Sequence, residues 1–339
     1  MAQVKPVKAG WWNAMRPWTL HGAVVPVLIG GAAAYAYDAF DLADWIIFLL
    51  IVLAGCLIQS AANLLNTYGD YKKGTDTVEN ETRSPEIVTG VLKPEHVKLA
   101  GFACLAADCL LGLIFIWYSG WEILVYGLLG VLGAGMYTTG AAYKYHGVGQ
   151  PFVFLMMGIL MPLGTYCVLA EPFSWDVLLL GLPNAFLITA VLCGNELRDY
   201  EEDRRAGVGT LCGRMTYDGA RRLYLAENSA AYVVLLVLIA AGAVPWMCAL
   251  AFLALYDMYH LVKNAEVAHE DPHASFMLVP NAFKMNWHFG VLLVIGFIAD
   301  YAIGVLRWPK RSSRSASSSR ARRSTSRTCS PRSPSTTTR

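Results

Sequence analysis

Charge is what this sequence has least of. Only 15% of its 339 residues are Asp, Glu, Lys or Arg, against 55% hydrophobic, and the mean hydropathy is +0.42. Soluble globular domains carry about 25% charged residues, so a water-soluble fold is excluded. The eight cysteines form no Cys-x-x-Cys pair and stand singly, mostly inside apolar runs. They read as small buried hydrophobes rather than zinc ligands or disulfides. No short apolar core with a small-residue cleavage site opens the chain, so no cleavable signal peptide is expected. The end of the chain lacks acid altogether: residues 309–339 hold nine Lys or Arg and no Asp or Glu. After Trp308 there is also no Leu, Ile, Val, Met or aromatic residue. A segment of that kind cannot bury a core, so 307–339 is expected to be a disordered tail. We assign it no function and expect no nucleic-acid partner. Without those nine residues the body is net negative, 18 basic against 25 acidic, although the whole chain sums to +2.

What is present is a series of apolar runs near the ~20 residues that span a bilayer. They fall at 18–38, 45–66, 97–117, 121–142, 150–170, 175–197, 223–243, 245–262 and 286–306. The expectation is an all-α polytopic membrane protein of about nine transmembrane helices. A short N-terminal segment, 1–17, precedes a membrane domain, 18–306. Polar connections are expected at 67–96, 198–222 and 263–285. Seventeen Lys and Arg fall in the N-terminal segment and in the connections after spans two, four, six and eight, and none in the short connections between. By the positive-inside rule this places the N-terminus and the long connections in the cytoplasm of a cell with this protein in its inner or plasma membrane. Nine spans would leave Arg307 and the basic tail outside, against the same rule.

The chemistry gathers at two span ends. Asn66 and Asp70 stand four apart, hence on one face of a helix, and Asp76 follows after Gly74, where the chain can turn. The exit of span six repeats the scheme with Asn195, Asp199 and Asp203, spaced four and four. Like charges at that spacing repel unless a cation lies between them. One or two carboxylates with further oxygen ligands from phosphate and water describe Mg²⁺ sites. A solvated helix end is the ordinary reading of either motif alone. Two of them on one membrane face, in two halves of one chain, favour function, as membrane-edge acids generally do. A diphosphate would need cations besides Mg²⁺, and Arg83, Lys144, Arg198 and Arg204 all lie on the same side. Lys144 sits among Tyr137, Tyr143 and Tyr145, which on their own read as interfacial anchors.

These residues resemble the UbiA superfamily of intramembrane prenyltransferases. Within it, Met15-Arg16-Pro17-Trp18-Thr19-Leu20, the stretch Asn66–Asp76, and Asn195–Asp203 with its following Ala-Gly207 are most similar to 1,4-dihydroxy-2-naphthoate polyprenyltransferases. The resemblance covers about 10–306. It implies helices around a central cavity capped by the polar connections. Asn66, Asp70 and Asp76 would hold one Mg²⁺, and Asn195, Asp199 and Asp203 a second. The substrates would be a polyprenyl diphosphate, whose chain lies against helix faces open to the lipid bilayer, and an aromatic acceptor. Asp70, Asp199 and Lys144 would be catalytic, Arg83, Lys144, Arg198 and Arg204 diphosphate-binding, and Arg16 and His21 acceptor-binding. Two positions depart from the bacterial pattern: Thr67 stands where Asp is usual and Glu196 where a second Asn is frequent.

Other acceptors stay open, among them a 6-naphthoate isomer, homogentisate and 4-hydroxybenzoate. A CDP-alcohol phosphotransferase is excluded, because Asp218-Gly219-Ala220-Arg221 has the wrong internal spacing and follows Asp203 instead of preceding the acids. A cation-coupled transporter would hold its acids near the bilayer midplane, whereas these stand at helix ends. Asp108 and Asp257 lie inside spans without an assigned partner.

Overall fold

The computed structural model describes residues 8–74, 76–78, 85–137 and 143–304, and every regular element among them is helical. Among the described residues, seven helices are long and apolar enough to cross a membrane. We label the elements that follow the nine apolar runs α1 (His21–Tyr37), α2 (Leu42–Lys73), α3 (Pro94–Ser119), α4 (Ile123–Gly135), α5 (Gly149–Leu169), α6 (Trp175–Arg198), α7 (Tyr217–Ala240), α8 (Leu255–Val267) and α9 (Pro272–Ala302). Two runs depart from a single spanning helix. α4 is only 13 residues long. The run 245–262 is wound first as a 3-10 helix over Trp246–Ala254 and only then as α8. The expected tail lies outside the described residues, as does Arg83.

Local chemistry sets the helix ends. α2 opens on a reciprocal cap, in which Asp44 N–H donates to Asp41 Oδ1 at 2.9 Å and Asp41 N–H to Asp44 Oδ2 at 3.1 Å. It runs past the apolar stretch to Lys73, so Asn66 and Asp70 do share a helical face. It stops at Gly74, whose φ of +78° is costly for any residue with a Cβ. The polar connection expected over 263–285 is instead mostly helix. Asp271 accepts from the His273 N–H, Pro272 occupies the first helical position, and α9 runs 31 residues from there. Lys284, expected in that connection, thus stands inside α9.

Helices in lipid associate through close packing of small residues rather than through hydrophobic exclusion. A Cβ on Gly290 of α9 would lie 2.2 Å from Val25 Cγ1 of α1, and one on Gly158 would lie 2.3 Å from Ala185 Cβ of α6. Between these seams α6 is the central pillar, packed against α7, α9 and α5, while α2 pairs with α3 and α1 with α5. Within α5, Phe154–Leu160 widens to a π-helix just before Pro162, whose nitrogen has no hydrogen to donate.

Candidate active site in the membrane

Three helices turn matched faces toward one cavity of about 640 Å³. α2 contributes Ile58, Gln59, Ala62, Asn63, Asn66 and Asp70. α6 contributes Ile188, Val191, Leu192, Asn195, Glu196 and Arg198, and its C-cap residue Asp199 follows them. α9 contributes Phe276, Val279, Pro280, Phe283, Lys284 and Trp287. The recurring steps of three and four residues keep each set on one helical stripe. Along α2 and α6 the stripe changes from apolar to amide and carboxylate at the end where both motifs stand. Gly130, Gly133 and Ala134 of α4 and Met156, Met157 and Met161 of α5 complete the apolar part.

Asp70 is the hub of the polar part. Lys144 Nζ lies 2.8 Å from its Oδ1 and 2.9 Å from its Oδ2, and also donates to Asn66 Oδ1 at 3.1 Å. The Tyr145 hydroxyl donates to Asp70 Oδ1 at 2.8 Å. Both members of the ion pair are largely buried, Lys144 12% and Asp70 10% exposed. Burial alone would lower the Lys144 pKa, but Asp70, with Tyr145 and Asp203, outweighs it and holds the ammonium above its ordinary value. On the second motif Arg198 grips Asp199 through two parallel bonds, Nε to Oδ1 and a terminal nitrogen to Oδ2, each 2.8 Å. Asp76 is pushed up to about 7 by burial and by the charge of Asp70, against Arg16 and Lys144. Asp203 also rises to about 7, through burial and the charges of Asp199 and Asp70, with Lys144 opposing. Asp199 is felt at Asp76, and Asp70 at Asp203, so the two motifs form one electrostatic site.

The cavity brings together Arg16, His21, Asn66, Asp70, Asp76, Lys144, Asn195, Arg198, Asp199 and Asp203. Arg204 is not among its lining residues; it donates to the Tyr200 hydroxyl at 2.6 Å. The tyrosines read as anchors face inward: Tyr137 and Tyr143 line the cavity and Tyr145 holds Asp70. The departures from the bacterial pattern both have partners. Thr67 Oγ1 accepts from Arg16 at 3.2 Å and donates to the Asn63 carbonyl at 3.1 Å. Glu196 Oε2 accepts from Gln150 at 2.9 Å and from the Cys212 N–H at 3.1 Å. Asn63 ties the start of the chain to α2, its side-chain amide donating to the Met15 carbonyl and to the Thr19 hydroxyl, both at 2.9 Å. Sequence reasoning missed Gln59, Glu202, Lys284 and Trp287. Glu202 could have been found from its three-residue step after Asp199. Lys284 could not, since the apolar run begins only at 286, and Trp287 within that run reads as one more apolar residue of a span.

Among the described residues no group of three His, Cys, Asp or Glu side chains stands close enough to hold a metal unaided. The donor set nevertheless suits a hard cation. Every candidate ligand is an amide or carboxylate oxygen, and Asp76 and Asp203 are raised by burial first and by neighbouring carboxylates second, both of which a bound cation would offset.

The cavity joins an apolar body to a polar end that carries both carboxylate motifs and the cations paired with them. The chain belongs to the UbiA prenyltransferase family, whose model matches residues 23–290, and it is an integral membrane protein. It is similar to a 1,4-dihydroxy-2-naphthoate octaprenyltransferase of Bacillus subtilis, 32% identical over 292 residues, covering 86% of this chain and 92% of the relative. It is also similar to the UbiA prenyltransferase domain-containing protein 1 of Danio rerio, 30% identical over 206 residues and 60% of each chain. A solved UbiA homologue from Archaeoglobus fulgidus, bound to GPP and Mg²⁺, shares the fold with a TM-score of 0.55 at 12% identity, over 86% of this chain and 99% of that one.

Proposed function

We propose that this protein transfers a polyprenyl group from an allylic polyprenyl diphosphate to 1,4-dihydroxy-2-naphthoate, releasing diphosphate and CO₂, in menaquinone biosynthesis. The observation that carries the reading is the single cavity joining both Asn-x-x-x-Asp helix ends to an apolar, Gly- and Met-lined body. The naphthoate relative covering 86% of the chain supports the acceptor.

The residues have distinct tasks in this reaction. Asn66, Asp70 and Asp76 would hold one Mg²⁺ and Asn195, Asp199 and Asp203 another; when bound, these ions supply charge that neutralises the diphosphate head. Lys144 and Arg198 donate to the same head and stabilise the negative charge that grows on it as the allylic C–O bond breaks. The apolar wall formed by Ile58, Met156 and Met161 shields the carbon left electron-poor, so that water does not capture it. The acceptor ring forms the new C–C bond, and loss of its carboxylate as CO₂ returns an electron pair that restores aromaticity. We further propose that the acidic mouth faces the cytoplasm, in line with the distribution of Lys and Arg.

The test is to supply membranes containing the protein with Mg²⁺, an allylic polyprenyl diphosphate and a panel of aromatic acceptors, and to identify the products by mass spectrometry. A prenylated naphthoquinol is expected, and Asp70→Ala and Asp199→Ala should each abolish it. Activity retained in both variants would sink the two-motif assignment. Product with homogentisate or 4-hydroxybenzoate alone would keep the chemistry and replace the acceptor.

A further inference from the structure

Asp257, without an assigned partner in the sequence, has two in the structure. Lys284 Nζ of α9 lies 3.1 Å from its Oδ1, and His288 Nδ1, one helical turn further on, 2.6 Å from its Oδ2. The carboxylate is buried at 7% exposed, whereas the Lys284 side chain is 56% exposed and lines the cavity. Lys284 stands about 18 Å along α9 from its first residue at 1.5 Å per residue. α9 is long and apolar enough to cross a membrane, and a charged side chain in such a helix that faces a cavity marks function by default. One carboxylate oxygen is occupied by His288, donating from Nδ1, so Asp257 takes a single N–H of Lys284. An ammonium has three, and two remain for a ligand.

The surroundings say which ligand. On the same stripe of α9, Phe283 and Trp287 meet the His21 ring of α1 with centroids 5.0 and 5.8 Å apart. His21 Nδ1 is buried without a hydrogen-bond partner, and His21 also lines the cavity. Rings set edge-to-face and tilted suit a flat aromatic guest, and a fixed ammonium beside them suits a carboxylate.

We infer that Lys284, held in place by Asp257 and His288, recognises the carboxylate of the aromatic acceptor, with His21, Phe283 and Trp287 forming the slot for its ring. The inference rests on the prenyl-transfer reading and deepens it, because it commits the site to aromatic acids over neutral diols. Lys284 is a binding residue; Asp257 and His288 are positioning residues.

The test uses the full chain in membranes with Mg²⁺ and saturating polyprenyl diphosphate. It measures KM for 1,4-dihydroxy-2-naphthoate and the inhibition constant of 1,4-dihydroxynaphthalene, which lacks the carboxylate. Lys284→Gln should raise the naphthoate KM by about 10- to 100-fold, the range of one charge-assisted hydrogen bond. The diol inhibition constant and the donor KM should stay within about twofold. Lys284→Arg should restore most of the naphthoate affinity, and Asp257→Asn should give a smaller rise than Lys284→Gln. The ratio of naphthoate KM to diol inhibition constant does not depend on how much protein folds. An unchanged ratio in Lys284→Gln overturns the inference while leaving prenyl transfer intact. Wild-type protein that prenylates no aromatic acid overturns the parent reading, and this one with it.

Discussion

Replacing Asp70 separates what the Asp70–Lys144 pair does for the fold from what it does for the reaction. Asp70→Asn removes the charge but little volume, and leaves an ammonium only 12% exposed facing two amides and a tyrosine. Removing one partner of a buried pair costs about 3–5 kcal/mol, because the other charge stays desolvated. Asp70 is what holds Lys144 charged; without it burial pulls the ammonium's pKa down, so raising the pH should relieve part of this cost by deprotonation. Lys144→Met alone should cost a similar amount, since Asp70 then keeps only the Tyr145 hydroxyl. Combining the two changes removes both charges, and the double variant should return to within about 1–2 kcal/mol of wild type. Activity should behave differently. If Asp70 binds metal and Lys144 binds the diphosphate, all three variants should lose about 100-fold or more in kcat/KM. The assay is a double-mutant cycle read twice on each preparation, by thermal unfolding in detergent and by product formation in membranes. A double variant that regains activity together with stability would refute the reasoning, since the pair would then be scaffolding.

With Asp76 and Asp203 both near 7, protons compete with metal below that value. The affinity for Mg²⁺ alone should weaken about 100-fold from pH 8 to pH 6 if both acids ligate, and about tenfold in Asp76→Asn; titration calorimetry checks this, and a flat profile would contradict it. A Cβ on Gly133 would lie 3.1 Å from Met156 Cγ. Gly133→Val should therefore narrow the apolar body and raise KM for a long-chain donor more than for a ten-carbon one, which steady-state kinetics with paired donors can detect. Gln150→Leu leaves Glu196 with the Cys212 N–H but without its amide donor. It should lower stability by about 1–3 kcal/mol, measured by thermal unfolding.

The acidic motifs were legible because their spacing is local: Asn66 and Asp70, or Asn195 and Asp199, fall on one face of any helix that contains them. Lys144 was legible only as a cation on the right side. That it would reach Asp70, 74 positions away in sequence, depends on how the turn Tyr143–His146 is folded back over α2. The tyrosines beside it were misread for the same reason, since an interfacial anchor and a cavity wall have the same composition. Hydropathy located the helices and misplaced their ends wherever polar residues continue a helix. α9 begins at Pro272 rather than 286 because Asp271 and Pro272 start it, and Asn281, Lys284 and Asn286 ride along inside. The run 245–262 reads as one span, but its 3-10 turn packs under Gly296, where a Cβ would lie 2.2 Å from the Met247 carbonyl oxygen. No pattern within the run itself records that approach.

The partners of Asp70 and Asp199 have a consequence for the order in which ligands can settle. Each acid is engaged by a cation of the protein itself, Lys144 on one and Arg198 on the other. A diphosphate arriving alone can take those cations only by stripping the carboxylates of their counter-charge. A divalent ion arriving alone can take the carboxylates only by stranding the ammonium and the guanidinium. Together the two make a balanced exchange of partners, in which no charge in the cavity is left bare. Each should then raise the affinity for the other by the same factor, as linkage requires. The protein's own ion pairs thereby act as a double latch that either key alone turns only weakly.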